Sequence, residues 1–196
     1  MPRKKSIKRS VSQFKEEVRD ILYFTKEARR YFSKKHVSWV YEYAIIRLYR
    51  EFEKLILDVL VGAVNNDTST LSEVTGFTFP KHLTDEVCRF LIIGDGYFDF
   101  KGRDSLIRII RRYVPVSHYI VEIIRKERYK DPLDKLVALR NFSAHASTSA
   151  KKRAKKVVGQ KRMPDAGSWL KKRRRLEEIA NNLVELADEI ESRAPY

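Results

Sequence analysis

"HVSWVYEYAIIRLYREFEKLILDVLVG", residues 36–62, is the stretch on which the fold turns. It holds no proline, and its one glycine, Gly62, comes last, just before the "NND" of 65–67 that marks a stop. Apolar residues recur at helical spacing but cover more than one narrow stripe, so such a helix must be covered on several sides. That predicts the central helix of a bundle. Upstream, "SQFKEEVRDILYFTKEARRYFS", residues 12–33, sets Phe14, Val18, Ile21, Leu22, Ala28 and Phe32 on a single stripe, an amphipathic helix fit to lie against the central one. Downstream, residues 68–80 read as a loop, 84–93 as a short helix and "GDGYFDFKG", 94–102, as a turn. Helical pieces at 105–114 and 116–129 meet at Pro115, and "DPLDKLVALRNFSAHAS", 131–147, begins with Asp131 as N-cap and Pro132 in the first helical position.

No strand pattern, internal repeat or glycine-rich phosphate loop interrupts this series. Seven Gly and six Pro in 196 residues, with ten Tyr and ten Phe to fill a core, suit long helices. The expected class is all-α: a helical bundle with basic N-terminal and C-proximal segments and a C-terminal helix. The expected organisation is a basic tail over 1–11, the bundle over 12–150, a mobile basic arm without periodicity over 151–167 and a helix over 168–196, begun by Ser168 and docked on the bundle. Leu176, Leu183 and Ile190 fall seven apart behind "KKRRR" like a basic zipper. Ile179, Ala180, Val184 and Ala187 broaden that stripe, however, and favour docking.

The net charge of +15 is concentrated. Residues 1–10 and 151–175 hold seventeen of the forty-one Lys and Arg but one of the twenty-six acids, Asp165, so the rest of the chain is close to neutral. Two basic segments on an electrically ordinary body point to a polyanion, nucleic acid before an acidic membrane surface. "KKRAKK" and "KKRRR" also fit the weak pattern of a nuclear-import signal. The candidate nucleic-acid contacts are Lys151, Lys152, Arg153, Lys155, Lys156, Lys161, Arg162, Lys171, Lys172 and Arg173. With no bilayer-length apolar run and no apolar signal core after "MPRKKSIKRS", the expectation is a soluble, cytoplasmic chain without membrane insertion.

Familiar catalytic motifs are missing. Cys88 is the single cysteine, the four histidines are scattered, and Asp95 and Asp99 around "GYF" read as turn chemistry rather than a cation site. Neither a metal nor a cofactor is expected. What stands out is "RNFSAH", residues 140–145. On a helix Asn141 and His145 lie about 40° apart, and Arg140 sits one step round. A permanent cation, an amide and an imidazole, the side chain that titrates near neutrality, directly precede a basic segment. This is a minimal kit for RNA cleavage: histidine moves the proton and arginine meets the charge that grows on phosphorus.

An R-N-x-x-x-H motif after an apolar helical stretch in an all-α chain resembles the HEPN superfamily, and "LRNFSAHAS" resembles the motif region of its ribonuclease-like RiboL-PSP-HEPN branches. The "YAIIRLYREFEKLILDVL" helix resembles the family's early core helix, and the likeness covers roughly residues 12–150. It implies a metal-independent endoribonuclease, often a toxin or defence effector with an antitoxin protein as partner. Arg140 and His145 would be the catalytic pair and Asn141 the accompanying polar residue. It also implies a homodimer in which two motifs face each other across a composite RNA cleft. Family toxins paired with a nucleotidyltransferase antitoxin carry a tyrosine two residues past the histidine, where Ser147 stands here. The competing readings are a non-catalytic RNA- or DNA-binding module and a protein-interaction adaptor that uses the last helix.

Overall fold

The computed structural model describes residues 6–145 and 147–195. Ten α-helices and no strand occur among them, an all-α architecture. In chain order they are α1 Ile7–Tyr31, α2 Lys34–Asn66, α3 Ser69–Thr75, α4 Asp85–Ile93, α5 Arg103–Ile110, α6 Tyr119–Arg125, α7 Lys130–His145, α8 Thr148–Val157, α9 Ala166–Leu170 and α10 Arg175–Arg193. No helix among the described residues is long and apolar enough to cross a membrane.

The 33-residue α2 is the axis. Ile45, Leu48, Phe52, Ile56, Val59 and Leu60 are fully buried along it, because α1, α4, α7 and α9 pack around it. A two-residue joint, Phe32–Ser33, folds α1 back on α2 as an antiparallel hairpin, with the rings of Phe14 and Phe52 6.1 Å apart, edge to face. Short polar residues start the helices: Ser6, Ser33, Thr84, Ser147 and Asp165 each accept a hydrogen bond from the backbone N–H three residues on. Helix α10 lays Leu176, Ile179, Leu183, Leu186 and Ile190 onto α1, α6 and α7. The seven-residue spacing of Leu176, Leu183 and Ile190 therefore serves docking within the chain.

Several boundaries differ from expectation. The first helix begins at Ile7, so the expected tail over 1–11 does not extend through that range; residues 1–5 lie outside the described residues. Ile7 and Val11 are fully buried and continue the stripe of Phe14 and Val18, a periodicity that the surrounding cations dilute in the sequence. Residues 69–75 form a helix of about two turns, closed by Gly76 in the left-handed region (φ 73°), where a loop was expected. Helix α7 starts at Lys130 after a 3-10 turn, Glu127–Tyr129. Asp131 is therefore inside the helix, paired with Lys135 at 2.6 Å instead of capping, and Pro132 falls in the first turn, where its missing N–H is harmless.

The largest correction concerns 151–167, expected as an arm without periodicity. Helix α8 runs through it from Thr148 to Val157, with Ala154 fully buried and Ala150 and Val157 packed on the core, and Met163 and α9 follow as buried structure. Three small or β-branched apolar residues among five cations in α8 suffice once a neighbouring wall covers them. The last helix is also broken, between Leu170 and Arg175, and Asp165, not Ser168, caps its first piece, accepting from Ser168 N at 2.6 Å and Ser168 Oγ at 2.7 Å.

Candidate functional site

Helix α7 carries Arg140, Asn141 and His145 on its C-terminal half. Leu133, Leu136, Val137, Ala138 and Leu139 bury the preceding turns, which holds the helix rigidly against α2. Arg140 and Asn141 then emerge half-buried, and His145, the last residue of the helix, is exposed.

Arg140 is clamped on three sides. Its guanidinium carbon lies 4.2 Å from the centroid of the Tyr49 ring, which is buried in the middle of α2. Nη1 donates to Asn141 Oδ1 at 2.7 Å, and Nη2 stands 3.6 Å from Asp99 Oδ1. Tyr49 in turn donates its hydroxyl proton to Asp99 Oδ1 at 2.7 Å and accepts from the Phe100 N–H at 3.3 Å, with the Phe100 ring 5.1 Å from its own. The "GDGYFDFKG" turn is thereby pinned to α2 and becomes one wall of the arginine's seat. Glu53, one turn beyond Tyr49, completes it. Burial pushes its carboxyl up to about 7; the hydrogen bond with Tyr49 and the Arg140 charge work against that rise, and the Asp99 charge works with it. Burial also raises the Tyr49 phenol far above its ordinary value, so it stays a donor.

These contacts leave a quarter of the Arg140 side chain open to solvent. A guanidinium stacked on a buried ring and bonded to a neighbouring amide is pre-positioned, and its remaining donors can meet an anion without reorganising. His145 makes no hydrogen bond or ion pair among the described residues, nor does a contact join it to Arg140 or Asn141. Five residues of helix turn the two catalytic candidates roughly 140° apart. Asn141, the accompanying polar residue, uses its carbonyl oxygen on Arg140.

Sequence reading overlooked Tyr49 and Glu53 and placed Asp99 in a turn without a role. The available signal was their spacing: two polar groups at i and i+4 in the middle of a helix otherwise given to the core. Of the basic candidates, Lys152, Lys156, Lys161, Arg162, Lys172 and Arg173 are exposed, and Lys155 is half-buried. Lys151 lies 5.9 Å from the Phe142 ring and donates to the Pro164 carbonyl at 3.4 Å, bridging α8 to its neighbours. Arg153 donates to the Lys101 carbonyl of the 94–102 turn at 2.5 Å. Lys171 donates to the Lys34 carbonyl at 2.8 Å and to Ser38 Oγ at 2.6 Å. These last three are tied into the fold. Among the described residues no group of three His, Cys, Asp or Glu is placed to hold a metal ion.

Comparison of the chain with protein-family models, with curated proteins and with solved structures finds no match.

Proposed function

We propose that the chain is a metal-independent endoribonuclease of the HEPN type, a toxin or defence effector that acts as a homodimer on RNA in the cytoplasm. The observation that carries this reading is the seat of Arg140, a guanidinium held on Tyr49 and Asn141 beside an open surface, with an unpartnered His145 at the end of the same helix. In the proposed step the 2′-oxygen of one nucleotide forms a bond to the adjacent phosphorus as its proton passes to His145. The bond from phosphorus to the 5′-oxygen breaks, and that oxygen takes a proton from an acid on the opposing protomer, the second His145. Arg140 meets the charge of the phosphorane-like transition state. The products are a 2′,3′-cyclic phosphate and a 5′-hydroxyl. An antitoxin protein would act by covering this face.

The exposed cations of α8 and of the α9–α10 junction favour a second reading, a nucleic-acid-binding module without chemistry. Incubation with RNA in EDTA, with mass analysis of the termini, separates the two. Cyclic phosphate ends are expected, and His145→Ala should lower the rate by about 10²–10⁴-fold with the helical signal and RNA affinity retained. Intact RNA, or full activity in that variant, leaves the binding module.

A further inference from the structure

The first turn of α2, the 158–165 connection and the α9–α10 junction enclose a cleft of about 600 Å³. Its wall carries Lys34, Arg162, Lys171, Lys172, Arg173 and Arg175 and no acid. Two of these build the wall. Lys171 spans to α2, and Arg175 lies 4.3 Å from the Trp169 ring and donates to the Trp169 carbonyl at 3.1 Å. The charged groups of the other four, Lys34, Arg162, Lys172 and Arg173, are exposed and have neither an ion pair nor a hydrogen bond among the described residues.

Several cations elsewhere have acidic partners. Lys126 and Arg128 share Glu189, Arg193 pairs with Glu122, Lys15 with Asp188, and Arg103 with Glu127. Beside the cleft the one acid in the local sequence, Asp165, gives both oxygens to Ser168. Six like charges gathered on one concave wall repel each other, and the chain does nothing to neutralise them. Arg173 and Arg174 moreover adopt the left-handed region in succession, φ 52° and 56°, a conformation that costs side-chain-bearing residues roughly 1–2 kcal/mol each. The indole N–H of Trp169, in the same wall, is buried without a hydrogen-bond partner among the described residues. Continuous with the cleft, a second hollow lined by Arg29, Phe32, Lys34 and Lys172 adds the half-exposed ring of Phe32. A cationic groove with an aromatic platform beside it is the chemistry that holds a single strand through its phosphates and stacks a base.

We propose that this cleft is a phosphate seat for single-stranded RNA, an anchor separate from Arg140 and His145. Neither Arg140 nor His145 lines it. The proposal rests on the ribonuclease reading only for its choice of RNA as the strand.

The test uses the full chain and a short oligouridylate with 2′-O-methyl groups, which binds but cannot be cleaved because its nucleophile is blocked. The triple variant Arg162→Gln, Lys172→Gln, Arg173→Gln should weaken its binding roughly tenfold or more at physiological salt. It should also flatten the slope of log K against log salt by up to ~0.7 per lost contact. The thermal midpoint should not fall, since none of the three side chains holds a partner and their mutual repulsion is relieved. The single variant Lys172→Gln, with a smaller slope change in the same sense, guards against misfolding of the triple. An affinity and slope equal to wild type overturn the seat, even if wild-type RNA cleavage is intact. ATP binding that is lost in the variant while the oligouridylate is unaffected overturns the strand and assigns the seat to free nucleotides. Lost oligouridylate binding in a protein that cleaves no RNA supports the seat and removes the ribonuclease instead.

Discussion

Arg140 is fixed by Asn141 beside it and by groups that lie outside "RNFSAH". Tyr49 supplies the ring beneath it, Asp99 and Glu53 the surrounding negative potential, and Asn141 the oxygen that sets its plane. Glu53 makes this seat pH-sensitive. Its carboxyl titrates at about 7 in the fold against 4.5 in the open chain. Between those values the native state holds a proton that the unfolded state has released, so stability falls as pH rises through that window and is level above it. Each pH unit of separation is worth about 1.4 kcal/mol for a fully shielded group. Glu53 is half-buried, and solvent screening leaves ~1–2 kcal/mol. Glu53→Gln should therefore gain that amount relative to the parent at pH 8 and little at pH 4. Urea denaturation at both pH values reads the difference, and parallel pH profiles for the two proteins would remove Glu53 as the cause.

At the scale of elements, the seat depends on how closely helices approach α2. Helix α9 comes close because Gly167 faces the backbone of Ser38: a Cβ there would lie 1.9 Å from the Ser38 carbonyl oxygen. Only glycine permits that distance, and through it Trp169, Lys171 and the whole α9–α10 junction are set against the start of α2. Gly167→Ala should force the two helices apart and cost about 1–3 kcal/mol, the usual penalty of overpacking, despite alanine's better helix propensity. Thermal denaturation measures it; an unchanged or raised midpoint would show that the contact yields easily. Helix α8 makes the same point from the other direction. Its cations dominate its composition, yet Ala154 fits a fully buried slot, and that fit makes a helix of a segment with little apolar content.

For the whole molecule, the decisive feature is that His145 and Arg140 do not meet within one chain. Arg140 turns toward α2 and the 94–102 turn, and His145 faces solvent at the helix end. A pair of chains apposed on this face would bring each imidazole toward the other chain's guanidinium and supply both the base and the acid for in-line cleavage. Mixing His145→Ala with Arg140→Ala chains should then recover part of the activity, well below wild type, because the mixed dimer keeps one histidine facing one arginine while solvent water must replace the second histidine as the acid. RNA cleavage of the mixture against each variant alone is the readout. Absence of recovery would place both residues of a working site on one chain, and a sedimenting monomer that still cleaves would dispose of the dimer.

The sequence by itself determined the class of the fold and where its charge lies. Periodicity is a local property: the wide apolar surface of 36–62 and the stripe of 12–33 specify a central helix and its partner whatever else is present, and the same holds for the stripe of α10. The run R-N-x-x-x-H was likewise visible, because neighbours in sequence remain neighbours on a helix. Tertiary structure decided the rest. Whether residues 151–167 form an arm or a helix depends on a wall for Ala154 that comes from elsewhere in the chain. Tyr49, Asp99 and Arg140 are separated by dozens of residues and meet only because the 94–102 turn folds onto α2. The cleft lined by Lys34, Arg162 and Arg173 exists because Gly167 lets α9 touch Ser38. Periodicity reports which face of a helix avoids water; it carries no record of which distant side chain will cover that face, and the site is made of such distant side chains.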